Sequence, residues 1–247
     1  MRRRHELLPS EPMGRRMNLW CYGHWGAPLV VIPTAAGFAH EWEAQGMLDA
    51  LADSINGGRL KLYCPESNVS QAWTNKEIHP AEKALRHQAY EQFVVGELVP
   101  WIRLDCVAPE IPVAVTGASL GGYYAANFAL KFPEVFHYAL CLSGRYDITH
   151  FTGGFSNTDV YFNNPLAYVP NLQGEHLERV RRNTHLALVC GQGPWEEGCI
   201  EETIALAAVL AAKDIPYERD LWGHDVSHGW AWWQRQARLH LGKTFGG

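Results

Sequence analysis

The sequence predicts an α/β fold: a mostly parallel central sheet, helices on both faces and no large separate cap. Three observations predict it. Short apolar runs rich in Val, Ile and Leu alternate with longer helical runs, the rhythm of βαβ units. One of the short runs, Ile111–Thr116, lacks polar alternation, as a strand covered on both faces does. The chain has 247 residues, 47% of them hydrophobic and 19% charged. At that length area scaling gives a folded surface of roughly 11,000 Å² against about 40,000 Å² unfolded, enough to bury one large core.

The elements follow in order. Residues 1–15 open with Arg2, Arg3 and Arg4 and read as a solvated tail; no apolar stretch follows, so a secretory leader is not expected. Met17–Tyr22 and Leu29–Ile32 read as strands divided by a turn through Gly23 and Gly26. Leu60–Cys64 is a third strand, after the breaker Asn56-Gly57-Gly58. Pro80–Leu104 carries Ala84, Leu85, Phe93, Val94, Leu98 and Ile102 at helical spacing, with Pro80 in the first turn, where proline is tolerated. Ile111–Thr116 is the next strand and Tyr123–Lys131 the next helix, stopped by Pro133. Phe136–Leu142 and His185–Cys190 are strands, Glu201–Lys213 an Ala/Leu-rich helix, Pro216–Trp222 the last strand and Trp230–Leu241 the last helix. Residues 143–182 have little periodicity and many aromatics; they read as an irregular excursion near the functional site. No repeat or linker divides the chain, so one domain spanning 1–247 is expected.

Composition excludes several function classes. A net charge of −5 shows no global basic bias towards nucleic acid. No apolar run reaches the roughly 18 residues of a spanning helix, so no membrane role is expected. The 6 cysteines form no CxxC pair and no Cys/His cluster with zinc spacing. They read as free thiols, which fits a cytoplasmic location. The 10 tryptophans are unusually many; Trp73, Trp195, Trp222, Trp230 and Trp233 are candidates for a pocket wall or for ordinary core.

The chemistry centres on Gly117-Ala118-Ser119-Leu120-Gly121, a G-x-S-x-G string. An apolar strand runs directly into it and a helical segment runs directly out, the context the motif requires. On so tight a turn the residues two before and two after the serine must be tiny, because strand and helix nearly collide. The turn lifts the Ser119 hydroxyl above the sheet and aims the Leu120 N–H at the oxygen of an attacked carbonyl.

A serine hydroxyl needs a base within hydrogen-bond reach. In this strand order an acid and then a histidine follow the serine. The loop after the last strand, Trp222–Trp230, offers His224 and His228. His228 is preferred, because it sits just before a Trp-rich helix start that can pack and aim the ring; His224 is left a structural role, with Asp225 as partner. The loop after His185–Cys190 holds Glu196 and Glu197 and no aspartate. Glu196 is favoured as the orienting carboxylate, with Glu197 facing solvent or capping the next helix and Asp147 as an outside candidate. A second oxyanion amide is expected after Leu29–Ile32, in Pro33-Thr34-Ala35-Ala36-Gly37: Ala35 first, Ala36 next. No HxH or HExxH spacing points to a metal, and no organic cofactor is implied.

Taken together, the elbow at Ser119, the Gly191-Gln192-Gly193 loop and the segment His228 to Trp233 resemble the esterase branch of the α/β-hydrolases. That branch includes S-formylglutathione hydrolase (esterase D), the antigen 85 mycolyltransferases and polyhydroxybutyrate-depolymerase-like esterases. The resemblance covers nearly the whole chain from Met17. It implies an α/β-hydrolase fold and a serine hydrolase acting on a small-molecule ester. Esterase D-like members take their acid from a Q-G-x-x-D loop, matched here by Gln192 to Glu196 with Glu in place of Asp. Antigen 85-like members carry the histidine in an H-x-W-x-x-W segment, which His228, Trp230 and Trp233 fit. Relatives place an oxyanion amide after a strand-end glycine, where this chain has Thr34. Acyl transfer by the same triad, and a catalytically silent binding protein, are the rival readings; a homodimer stays open.

Overall fold

The computed structural model describes residues 1–246. Eight strands form one sheet in the order β1-β2-β4-β3-β5-β6-β7-β8: β1 Arg3–Ser10, β2 Arg15–Tyr22, β3 Ala27–Ile32, β4 Leu60–Pro65, β5 Val113–Ala118, β6 Phe136–Leu142, β7 His185–Cys190 and β8 Tyr217–Leu221. β2 runs antiparallel to both its neighbours, and every pair from β4 through β8 is parallel. The chain steps from β3 outward to β4, then returns to the far side of β3 as β5. That reversal opens a crevice between the carboxyl ends of β3 and β5, where open α/β sheets place their ligands.

The doubly apolar strands have apolar partners on each side. Val30 and Ile32 enter one core with Tyr90, Phe93, Tyr124 and Phe128. Leu29 and Val31 point the other way, into a second core with Trp42, Met47, Trp233 and Leu241. The helices Pro80–Phe93 and Leu120–Lys131 cover the first face, and Trp230–Phe245 with the short helices of residues 41–56 covers the second. The accessible surface is 10402 Å², close to the area expected from length.

Residues 3–10 are not the solvated tail the sequence suggests. They pair with β2 along their whole length, Arg3 opposite Tyr22 through Ser10 opposite Arg15, and Gly14 takes φ 62° in the turn between. Only Leu8 and Ser10 of this strand are buried, so it carries little apolar signal. Its arginines are held instead: Arg3 pairs with Glu43 and lies 4.2 Å from the Trp20 ring centre, and Arg4 pairs with Asp105 at 2.6 Å.

The long helix from Pro80 is continuous but not uniform. An α-helix to Phe93 passes into one wide π-helical stretch, Val94–Leu98, and resumes as Val99–Asp105. Pro100 explains it: a proline has no N–H for the carbonyl four residues back and its ring collides with that carbonyl, so the helix widens locally instead of breaking. Residues 143–182, expected to be irregular, are mostly short helices: Thr149–Thr152, Thr158–Tyr161, Pro165–Tyr168 and most of Gly174–Asn183. Gly153, Gly154 and Gly174, all at positive φ, interrupt the run and hide its periodicity. The segment is tied down, with Asn163 bonded to Tyr123, Asn127 and Lys131. All six cysteines are free, and among the described residues no helix is long and apolar enough to cross a membrane.

Candidate active site

β5 ends at Ala118, and Ser119 turns the chain into the helix Leu120–Lys131 with φ 57° and ψ −123°. L-residues rarely adopt this geometry, and it persists only because its surroundings enforce it. The enforcement is visible at the glycines. A Cβ on Gly117 would lie 2.4 Å from the Gly121 carbonyl carbon, and one on Gly121 would lie 2.4 Å from the Ile32 oxygen. Strand, turn and helix therefore close on one another only with glycine at both positions. Leu120 stands first in the helix, where N–H groups have no intrahelical acceptor.

His228 arrives from the loop after β8. Its Nε2 lies 3.0 Å from Ser119 Oγ and its Nδ1 lies 2.9 Å from Glu196 Oε2. A carboxylate can only accept, so Nδ1 carries the proton and Nε2 is left to accept from the serine. The ring is fixed edge-on to Trp233 at 4.8 Å between centres, and the His228 N–H donates to the Pro194 carbonyl at 3.1 Å. The acid and histidine loops are sewn together. The Gly193 N–H donates to Val226 O at 2.9 Å, and a Cβ on Gly191 would stand 2.1 Å from that same oxygen.

Glu196 is fully buried and Glu197 is exposed. The preceding Trp195 takes φ 71° and is exposed, in the turn from which Glu196 points inward and Glu197 outward. Ser143 completes the acid's surroundings, a residue that sequence reasoning missed. Its Oγ donates to Glu196 Oε1 at 2.6 Å and accepts from Trp233 Nε1 at 3.0 Å. The Gly191 N–H also reaches Oε1 at 3.3 Å, and the Cys190 thiol approaches Oε2 at 3.6 Å. The available signal was a serine directly after the apolar β6, the strand beside the one that leads into Ser119.

The other candidates lie elsewhere. His224 is exposed and has no side-chain bond to Asp225 among the described residues. Asp147 accepts from the Thr149 N–H and the Asn164 amide. Burial pushes its carboxyl up, but these donors win and hold it below its ordinary value. Helix capping belongs to Glu201, which accepts from the Gly198 N–H, not to Glu197. Trp73 and Trp233 are buried core, Trp222 and Trp230 are partly buried, and Trp195 is exposed.

The turn after β3 spends most of its amides internally. The Gly37 N–H donates to Thr34 O, and the Ala36 N–H reaches Thr34 Oγ1 at 3.3 Å. Ala35 keeps the amide without an internal partner among the described residues, and its turn touches the elbow through Ile32 and Gly121.

Glu196, Cys199 and His228 bring ligand-type atoms within 4.8 Å of one another. The His228 and Glu196 atoms already engage each other, and burial pushes the Cys199 thiol up to about 12, away from the thiolate a metal takes. The group is better described as a hydrogen-bonded set beside a neutral thiol.

The Putative esterase family model matches residues 10–242. No curated protein matches the sequence. Solved structures share the fold at low identity. A ferulic acid esterase superposes with a TM-score of 0.78 at 16% identity, covering 99% of this chain and 98% of its own. MPT51 of Mycobacterium tuberculosis gives 0.75 at 16% identity, over 100% and 98%. An S-formylglutathione hydrolase from Agrobacterium tumefaciens gives 0.70 at 16%, over 99% and 94%. With a family match across most of its length, on an eight-stranded α/β-hydrolase sheet, the chain belongs to the Putative esterase family and is a carboxylesterase-type hydrolase.

Proposed function

We propose that the chain cleaves small-molecule carboxylic esters through an acyl-enzyme, with Ser119 as nucleophile, His228 as base and Glu196 as the group that orients the imidazole and stabilises its charged form. The observation that carries the reading is the unbroken relay from Ser119 Oγ to His228 Nε2 at 3.0 Å and from His228 Nδ1 to Glu196 Oε2 at 2.9 Å. Ser119 Oγ attacks the ester carbon while its proton passes to Nε2. The carbonyl electron pair becomes an oxyanion, received by the N–H groups of Leu120 and Ala35. Collapse expels the alcohol, which takes the proton back from Nε2. Water then repeats the sequence on the acyl-serine, releasing the acid and free enzyme. Glu196 stabilises the imidazolium that forms in each half and keeps Nε2 facing Ser119.

The test is direct. Ser119→Ala lowers kcat on a p-nitrophenyl ester by roughly 10⁴- to 10⁶-fold with the thermal melt retained. A fluorophosphonate labels Ser119 covalently in the wild type. Activity preserved in Ser119→Ala, or labelling at another residue, refutes the assignment.

A further inference from the structure

We propose that Glu41 is a positioning residue for the oxyanion site: its carboxylate clamps Thr34 and so decides which amide of the turn after β3 faces the reacting carbonyl. The proposal rests on Ser119 being the nucleophile and on the Ala35 N–H being one oxyanion donor.

Glu41 opens the one-turn helix Glu41–Ala44 and is almost completely buried, at 7% exposure. A buried carboxylate is costly to keep unless donors meet it. Here both donors come from one residue. The Thr34 N–H reaches Oε2 at 2.8 Å and the Thr34 hydroxyl reaches Oε1 at 2.6 Å. Because a carboxylate only accepts, the hydroxyl proton is committed to Glu41, and the lone pairs of Thr34 Oγ1 turn to the Ala36 N–H at 3.3 Å. The Gly37 N–H closes on Thr34 O at 3.1 Å, and Gly37 O accepts from the Ser67 N–H at 3.0 Å. Thr34, Ala36 and Gly37 are thus occupied, and Ala35 is presented by elimination.

Glu41→Gln keeps the size but replaces one acceptor with an N–H₂ group. The arm at Thr34 Oγ1 must reverse: the hydroxyl now accepts from the amide, its proton is left without the acceptor that fixed it, and its lone pairs are shared between that amide and the Ala36 N–H. A misaimed Ala35 amide matters chiefly once the carbonyl oxygen has become negative, so the loss falls on kcat. The expected result on a p-nitrophenyl ester is a kcat lower by about 10- to 100-fold with KM within about 2-fold. An aryl trifluoromethyl ketone, which adds reversibly to Ser119 and places an oxyanion in the same spot, weakens by the same factor. Thr34→Val reproduces the loss and Thr34→Ser, which retains the hydroxyl, recovers most of it.

Wild-type kcat in Glu41→Gln overturns the proposal, as does a fall in kcat without matching weakening of the ketone. Wild-type kcat in Thr34→Val overturns it too, and needs no foldable Glu41 variant. Fluorophosphonate labelling keeps the two failures apart. If Ser119 labels while Glu41→Gln turns over normally, only the clamp is rejected; if Ser119 does not label in the wild type, the nucleophile assignment falls first.

Discussion

Replacing Ser143 by Ala removes a hydroxyl that touches neither Ser119 nor His228. It is nevertheless the joint between the acid and the final helix. Ser143, Glu196 and Trp233 are all buried, and the bonds of 2.6 Å and 3.0 Å have no water to replace them. A hydrogen bond to a charged group is worth about 1.5–3 kcal/mol net and a neutral one about 0.5–1.5. Alanine breaks both bonds and strands Trp233 Nε1, while Glu196 Oε1 keeps only the longer Gly191 bond, so a loss of about 3–4 kcal/mol follows. For a domain of this size that is a fall in Tm of about 6–8 °C, measured by calorimetry. Catalysis suffers less, because Glu196 keeps the Gly191 N–H at 3.3 Å. A kcat decrease of about tenfold corresponds to ~1.4 kcal/mol of barrier. The backbone provides a control. Ser143 sits at φ 48°, a strain alanine retains and glycine relieves, so Ser143→Gly is less destabilised than Ser143→Ala by about 1 kcal/mol. A Ser143→Ala protein that melts within about 2 °C of wild type refutes the argument. So does additivity of Ser143→Ala with Trp233→Phe, since bonded partners couple by about 0.5 kcal/mol or more.

Two further outcomes follow from the same geometry. Gly121→Ala places a methyl group 2.4 Å from the Ile32 oxygen; the elbow must open, soluble yield collapses or stability falls by more than about 3 kcal/mol, and chemical denaturation of any soluble fraction checks it. Burial holds the Glu41 carboxyl above its ordinary value of 4.5 despite the Thr34 donors. The folded protein therefore keeps a proton that the unfolded chain has already released. The stability this contributes is full below 4.5 and is lost as pH rises through the raised folded value. Glu41→Gln has no such proton, so its Tm relative to wild type climbs across that window; a constant difference contradicts the assignment.

The parallel sheet is legible because its strands are covered on both faces and so are written as unbroken apolar runs, Leu29–Ile32 above all. The elbow is legible because steric crowding leaves glycine as the solution at 117 and 121. Other features are written in contacts. β1 is an edge strand that buries Leu8 and Ser10 and holds its arginines by ion pairs to residues 43 and 105, so no local pattern announces it. The choice between Glu196 and Glu197 turns on which of two adjacent carboxylates the loop buries, in a turn where Trp195 takes a positive φ that sequence does not display in a non-glycine residue. Ser143 and Glu41 are recognisable only once the strands bring distant loops together. His228 lies within reach of its serine because the loops after β7 and β8 are laced through Gly191 and Gly193, a seam invisible in spacing alone.

The hydrogen bond from position 119 to position 228 joins residues 109 apart. A ribosome has therefore displayed the whole elbow long before the ring that arms it is translated. On the proposed assignment, the emerging polypeptide until then carries an alcohol without its base. The same holds for any product cut short before position 228. In the proposed mechanism the serine is therefore armed only after position 228 has been translated and folded back onto it.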